Sequence, residues 1–262
     1  MSVMESHLRL ISNIVLYLFI YLLGQFLSIL FITIPSIFYY AYLNIELKEV
    51  LIRIDKNILI TVSVGAMISL IIYTLILRKN KNNLWKRCNF SNITMKSIIF
   101  IGIISICYSV ISTCFVGFSY KFFSVYNAIV SSPIYSESIL SLISGIIFIP
   151  IFEEILFRGI IFNELRDNLS LISSILIQGF IFAVMHGNII QVIYTFPLAI
   201  MLALVYVWTD SIWASILLHV FFNFTGMVIT PNIVSLNILT IALIPSIILL
   251  VIVFKDFKKI II

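Results

Sequence analysis

The sequence predicts an all-α polytopic transmembrane helical bundle of about eight spans with both termini in the cytoplasm, and three observations support this prediction. Hydrophobic residues make up 62% of the 262 residues and charged residues only 10%, whereas soluble domains are about half apolar and about a quarter charged. The apolar runs are long and continuous, which excludes the alternating pattern of a membrane β-barrel. Basic residues cluster at the ends of these runs, where they orient a membrane protein.

The first apolar run is about twice as long as one membrane crossing requires. It has no charged residue between Ile11 and Glu46 and contains Pro35. About 20 apolar residues cross a bilayer, so we expect one span at about 11–32, an interruption at Pro35 and a Tyr-rich stretch around Tyr39 at the interface. The other spans are predicted at 58–77, 97–119, 139–165, 171–187, 189–208, 211–229 and 233–254.

The densest basic stretch follows the second span and sets the predicted orientation. It contains Arg78, Lys79, Lys81, Lys86, Arg87 and Lys96. The positive-inside rule places this loop in the cytoplasm and, two spans earlier, the N-terminus as well. An even number of spans then returns the C-terminal Lys255, Lys258 and Lys259 to the same side, while the predicted external loop at 120–138 carries only Lys121 and Glu137.

Composition also limits the partners. We find no repeat, no low-complexity tail and no linker, so the simplest organisation is a single membrane-embedded domain over 1–262 with a motif-bearing core at about 139–230. The net charge of +5 lies at the ends of spans and indicates no nucleic-acid partner. Cys88, Cys107 and Cys114 lack the spacing of a metal site and are expected to be buried apolar side chains. Composition thus predicts the lipid bilayer as a partner.

Six polar side chains interrupt the apolar runs of the second half. They are Glu153, Glu154, Arg158, His186, His219 and Asn223. An ionisable residue at membrane depth costs at least about 2.5–3.5 kcal/mol, so such residues indicate a functional site. At about 1.5 Å per helical residue, Glu153, His186 and Asn223 each lie roughly 20 Å from the inner boundary, with His219 one turn lower. The sequence therefore allows them to meet in one buried cavity, with both histidines expected inside apolar helices.

Spacing suggests a division of labour among these groups. Glu154 and Arg158 are four residues apart and can form an ion pair that lowers the cost of burying each. Glu153 lies about 100° around the helix without such a partner, and a carboxylate removed from water is a stronger base. It could take a proton from a water held jointly with His186, while His219 and Asn223 donate hydrogen bonds to an oxyanion. Glu153, His186 and His219 could instead bind a zinc ion with an open water position.

The ordered set Glu153-Glu154-x-x-x-Arg158, Phe182-x-x-x-His186 and His219-x-x-x-Asn223 resembles the CPBP family of intramembrane proteases. That family includes the type II CAAX prenyl endopeptidases and the bacteriocin-processing or bacteriocin-immunity (Abi) proteins. The resemblance implies a membrane-embedded endopeptidase, either metal-dependent or glutamate-dependent, whose partner is a peptide or protein substrate within the membrane. Glu153 and His186 would activate water and His219 and Asn223 would stabilise the tetrahedral intermediate, with Glu154 and Arg158 completing the motif.

Composition favours a non-prenylated peptide substrate and a bacterial plasma membrane. The chain is rich in Ile, Asn and Lys and poor in Ala and Gly, as in proteins from AT-rich bacterial genomes, and such bacteria generally lack protein prenylation. Two other functions fit the same residues. One is a non-catalytic immunity or regulatory protein that binds a bacteriocin-like peptide or a partner. The other is a small transporter with Glu153 and His186 as a proton relay, although no repeated halves with interrupted helices are visible.

Overall fold

The computed structural model describes residues 3–78, 83–122, 138–230 and 236–261, which are almost entirely helical, and the predicted all-α polytopic bundle is confirmed. The α-helices are α1 (Val3–Ser28), α2 (Ile34–Tyr42), α3 (Leu47–Asp55), α4 (Ile58–Leu77), α5 (Leu84–Cys88), α6 (Met95–Phe122), α7 (Ile139–Ile143), α8 (Ile149–Glu154), α9 (Asn163–Arg166), α10 (Leu171–Val184), α11 (Ile189–Thr209), α12 (Ile212–Phe224) and α13 (Leu236–Ile261). Segments of π-helix at Ile29–Thr33, Ser144–Phe148, Ile155–Phe162 and Thr225–Ile229 continue the neighbouring α-helices.

Seven helical stretches of the described residues are long and apolar enough to cross a membrane. They are Met4–Tyr42, Ile58–Leu77, Met95–Ser119, Ile139–Arg166, Ile189–Thr209, Ile212–Ile229 and Ile238–Phe257. Six of them match predicted spans to within a few residues. The first is longer than predicted, because it runs through the Tyr-rich stretch as one helix of 39 residues.

Pro35 does not interrupt the first helix, contrary to the prediction. The helix widens into π-helix at Ile29–Thr33, where the amide of Ile34 bonds the carbonyl of Ile29, and α2 begins with Pro35 in its first turn. A proline ring clashes with the carbonyl four residues earlier and has no N–H to donate. The wider turn accommodates the ring, so the helix continues.

The predicted span at 171–187 is the short helix α10. Its 14 residues rise roughly 21 Å, less than the ~30 Å hydrocarbon core. The helix ends early because Gly187 adopts a left-handed φ of 70°, and Asn188 then caps α11 by accepting from the amide of Ile190 at 2.9 Å. Because α10 and α11 pack as a hairpin, α11 ends on the side of the bundle where α10 begins. The predicted side of the C-terminus is therefore the same whether α10 crosses the whole membrane or only part of it.

Hydrogen bonds group the helix ends on two sides of the bundle. At one side the amide of Ser138 bonds the carbonyl of Lys56 at 3.1 Å. At the other, Asn163 Nδ2 donates to the carbonyl of Arg87 at 2.8 Å and Asn89 Nδ2 to that of Asp210 at 2.7 Å. This grouping agrees with the predicted order of crossings, whereas cytoplasmic termini stay a prediction. Most of the predicted external loop at 120–138, namely residues 123–137, lies outside the described residues, as do Lys79 and Lys81.

The stretch Ile139–Arg166, called here the motif helix, lies at the centre of the bundle. All eight residues of its π-helical segment Ile155–Phe162 are buried, and α4, α5, α10 and α12 pack against it. The three cysteines are free and buried, as expected; burial raises the pKa of the Cys88 thiol to about 12. A helix that is buried on all sides shields its charged residues from both lipid and water.

Replacing Gly24 by Ala is expected to destabilise the bundle by about 1–3 kcal/mol or more through overpacking. A Cβ atom at Gly24 would overlap the backbone carbonyl of Gly65 and the hydroxyl of Ser69, because α1 and α4 approach through small residues. At Gly102 the nearest atom to a Cβ, on Phe221, is 4.0 Å away. Gly102→Ala is the matched control and should be neutral or stabilising by up to about 1 kcal/mol. Unfolding of both variants in detergent tests this, and equal effects would contradict it.

Candidate functional site

The motif helix places two adjacent carboxylates in different surroundings. Glu153 and Glu154 end α8, and the wider π-helix begins at the next residue. The side chain of Glu154 is 0% exposed and that of Glu153 is 16% exposed. Glu154 is therefore confined to the protein interior, whereas Glu153 can be reached from outside the core.

Arg158 is buried beside Glu154 and forms the ion pair that the spacing predicts. Its Nη1 donates to Glu154 Oε1 at 2.9 Å, and both side chains are 0% exposed. Nη2 donates to the backbone carbonyl of Ala199 at 3.1 Å, and the guanidinium lies 4.9 Å from the ring centroid of Phe182. Further contacts lower the cost of burying an ion pair, and here α10 and α11 supply them for Arg158. Within the described part of the chain, Arg158 Nε and Glu154 Oε2 are buried without a hydrogen-bond partner.

His219 on α12 connects the two carboxylates. Its Nδ1 lies 2.8 Å from Glu154 Oε1, and its Nε2 lies 3.7 Å from Glu153 Oε2. Because Glu154 is an acceptor that also receives Arg158, Nδ1 carries a hydrogen and donates it. The ring of His219 is thereby held with Nε2 directed toward the accessible carboxylate.

His186 lies in the turn after α10, not within a helix as predicted. Its Nδ1 is 2.9 Å from the carbonyl of Phe182, and since a carbonyl can only accept, Nδ1 is the donor and a neutral ring has its lone pair on Nε2. The buried ring of Phe182 packs edge-on against His186 and His219, with centroids 4.9 and 5.9 Å apart. Phe182 thus contacts both histidines and Arg158.

Asn223 is held by a carbonyl that a proline leaves free. In the π-helical segment Ser144–Phe148 the amide of Ile149 bonds the carbonyl of Ser144. The next carbonyl, of Gly145, would take its bond from residue 150, which is proline and has no N–H. Asn223 Nδ2 donates to Gly145 O at 2.9 Å instead, so one of its two amide hydrogens is used in positioning the side chain.

The predicted site residues fall into three groups. Glu153, Glu154, Arg158 and His219 form one contiguous cluster. His186 reaches this cluster through Phe182, without a carboxylate at ion-pair distance among the described residues. Asn223 lies one helical turn from His219 on α12 and bonds the motif helix separately.

The predicted zinc ligands do not form a metal-binding group in this structure. Among the described residues, no three His, Cys, Asp or Glu side chains are arranged to hold a metal ion. Glu153 Oε2 lies 3.7 Å from His219 Nε2, whereas His186 reaches these two residues only through the ring of Phe182. As arranged in this structure, these three side chains do not fit a zinc site. The mechanism proposed below contains no metal step, and zinc binding stays a prediction that chelation tests.

The sequence reasoning missed Gln178, a fully buried amide next to the site. Its Nε2 donates to the carbonyl of Ala199 at 3.3 Å, the acceptor that Arg158 also uses. Gln178 precedes Phe182 by four residues and His186 by eight. It therefore lies on the same helix face as the Phe182-x-x-x-His186 motif, and this spacing could have identified it from the sequence. The role of the Ala199 carbonyl could not be predicted from the sequence, because every residue has a backbone carbonyl.

Comparison with protein families supports the motif assignment. Residues 135–225 match the family model "Type II CAAX prenyl endopeptidase Rce1-like", a range that includes all six polar residues singled out from the sequence. Comparison with curated proteins and with solved structures gave no match. The family match indicates protease activity within the membrane. Residues 135–225 of this multi-pass membrane protein thus match the Rce1-like endopeptidases, and the resemblance to the CPBP family predicted from three motifs is confirmed.

Proposed function

We propose that this protein is an intramembrane endopeptidase that hydrolyses a peptide bond in a membrane-associated or small peptide substrate. The observation that carries the proposal is the accessible carboxylate of Glu153, 3.7 Å from a histidine that the buried Glu154–Arg158 pair holds in place. Acyl transfer requires a base for water and donors for an oxyanion. The cluster supplies both kinds of group inside the apolar bundle.

Glu153 is the proposed general base. It removes a proton from water as the water oxygen attacks the carbonyl carbon, and it delivers that proton to the leaving amine when the C–N bond breaks. His186 holds the same water through Nε2, since Nδ1 is occupied by the carbonyl of Phe182. The shared water would lie between Glu153, at the end of α8, and His186, in the turn after α10.

His219 and Asn223 are the proposed oxyanion donors. Nδ1 of His219 already donates to Glu154, so donation to an oxyanion needs a second hydrogen on Nε2. With that hydrogen, Nε2 can donate to the oxyanion while Nδ1 keeps its bond to Glu154. Asn223 uses its remaining amide hydrogen, because the other is bonded to Gly145.

Peptide cleavage by the purified, detergent-solubilised protein tests the proposal. Fluorogenic peptides and lipopeptides are assayed with the wild-type chain, with Glu153→Gln and with a chelator. Loss of cleavage in the variant alone supports the glutamate-dependent mechanism. Loss with chelator and recovery with zinc would overturn it in favour of a metalloprotease. Absence of any cleavage, with cellular function retained by Glu153→Gln, would instead support the peptide-binding immunity or regulatory protein.

A non-prenylated peptide is the proposed substrate, in the plasma membrane of a bacterium. The support is the composition, rich in Ile, Asn and Lys, since bacteria with such proteins generally lack prenylation. Two peptides of one sequence, with and without a farnesyl group on cysteine, separate the possibilities. Cleavage of the plain peptide at least as fast as the farnesylated one is expected, and strict dependence on farnesyl would contradict the assignment.

Pro150→Ala is expected to lower kcat by about tenfold without lowering stability. Alanine restores an amide hydrogen that can bond Gly145 O, so this carbonyl no longer holds Asn223, and part of the oxyanion stabilisation is lost. Pro197→Ala, in α11, is the control and should leave kcat unchanged. Steady-state kinetics and unfolding in detergent measure both effects. Loss of activity in proportion to loss of stability would show a merely structural role.

A further inference from the structure

A second polar cavity lies at the far end of the motif helix. It has a volume of about 280 Å³ and is lined by four charged side chains, Arg87, Arg166, Asp167 and Asp210. Arg166 is 13 residues beyond Glu153, which corresponds to roughly 20 Å along a helix. The cavity is therefore separate from the site that contains Glu153 and His219.

Hydrogen bonds make the walls of this cavity rigid. Asn163 Nδ2 donates to Arg87 O at 2.8 Å and to the hydroxyl of Tyr206 at 3.1 Å, forming a polar floor. Asn89 Nδ2 donates to Asp210 O at 2.7 Å. Arg87 Nη2 bonds Glu164 Oε2 at 3.0 Å, which fixes the guanidinium. A ligand entering here would meet a floor of Asn163, Tyr206 and Arg87 that is already ordered.

The remaining charges are available to a ligand. In the part of the chain that the structure describes, the side chains of Arg166, Asp167 and Asp210 form no hydrogen bond or ion pair, and all three residues are exposed. With Arg87, which is already paired with Glu164, they give the cavity lining two guanidinium groups and two carboxylates. A purely anionic ligand would face two carboxylates and a purely cationic one two guanidinium groups, so the lining is complementary to a ligand that carries both charges.

The cavity opens at the membrane boundary. Arg166 ends the crossing Ile139–Arg166, and Asp210 follows the crossing Ile189–Thr209. Beside it, Phe90 packs between Trp85 and Trp213, with ring centroids 5.8 and 5.3 Å apart, and both tryptophans are exposed by 49% and 42%. Aromatic side chains concentrate at the depth of lipid headgroups.

We propose that this cavity binds the headgroup of a zwitterionic phospholipid with a primary amine, phosphatidylethanolamine. Arg166 and Arg87 bind the phosphate, Asp167 and Asp210 bind the ammonium, and the acyl chains pass the aromatic cluster into the bilayer. At about 30 Å³ for each water, the cavity has room for roughly nine waters, about the number of non-hydrogen atoms in phosphoethanolamine.

Titration of the detergent-solubilised protein with short-chain lipids, followed by tryptophan fluorescence, tests this site. Phosphatidylethanolamine should bind at least about tenfold more tightly than phosphatidylglycerol of the same chain length, the factor for one charge-assisted hydrogen bond. Arg166→Gln should weaken binding of both lipids about tenfold. The double variant Asp167→Asn, Asp210→Asn should remove the preference between them; Asn tolerates the left-handed φ of 49° at position 210.

The control is Arg53→Gln, which removes an exposed arginine paired with Glu49 away from the cavity and should leave both affinities unchanged. Equal binding of the two lipids by the wild type would overturn the proposal, as would unaltered binding by the cavity variants. Soluble glycerophosphoethanolamine separates the two sources of the headgroup. If it binds as tightly as the lipid, the ligand is a free phosphoamine and the lipid assignment is wrong.

Discussion

Glu153→Gln is expected to lower kcat for peptide cleavage by about 100-fold or more, the range for loss of a general base. Glutamine has nearly the same shape, but its amide cannot take a proton from water. Stability should change little, because Glu153 is 16% exposed and its contact with His219 Nε2 is long, at 3.7 Å. The expected result is a folded protein that binds substrate with a similar KM and does not turn it over.

Glu164→Gln is the matched control for this experiment. Glu164 is also on the motif helix and is 14% exposed, but it bonds Arg87 and Asn13 away from the site. It should lower stability more than Glu153→Gln and leave kcat near the wild-type value. Kinetics of both variants at one pH, with thermal unfolding of each, separate chemistry from folding. Activity retained in Glu153→Gln would remove the basis for a glutamate-dependent protease.

Helical periodicity and run length predicted most of the fold because both depend on local sequence. The span at 58–77 was placed correctly, since apolar length alone defines such a helix. Pro35 and the 171–187 segment were misjudged for a common reason, which is that backbone geometry at one residue decided the outcome. A π-helical turn accommodates Pro35, and a left-handed Gly187 ends α10 early.

The sequence identified the residues of the candidate site, but it did not predict most of the hydrogen bonds between them. The Glu154–Arg158 pair followed from spacing on one helix. Glu154 with His219 and Asn223 with Gly145 join residues 65 and 78 positions apart, and nothing local specifies such pairs. The position of Asn223 depends on the carbonyl of Gly145, which is free because Pro150 has no N–H to donate. That relation holds only because Ser144–Phe148 is π-helix rather than α-helix.

Arg158→Met is expected to cost about 3–5 kcal/mol of unfolding free energy, the range for breaking a buried ion pair by removing one partner. Methionine fills similar space but leaves the carboxylate of Glu154, which is 0% exposed, with His219 as its remaining partner. It also removes the bond to Ala199 and the contact with Phe182. Unfolding of the variant in mixed detergent measures the loss. Cleavage activity should fall as well, because Glu154, the carboxylate that positions His219, loses the partner that fixes it.

The double variant Glu154→Gln, Arg158→Met decides whether an isolated charge causes this loss. Removing the carboxylate as well leaves no uncompensated charge, so the double variant should be more stable than Arg158→Met alone, while activity stays low. The pair Glu49 and Arg53 has the same spacing, but its side chains are 55% and 46% exposed, and Arg53→Met should leave stability unchanged because water solvates the carboxylate that remains. If the double variant is no more stable than Arg158→Met, burial of the Glu154 charge is not what makes Arg158 necessary, and packing around Phe182 must account for it.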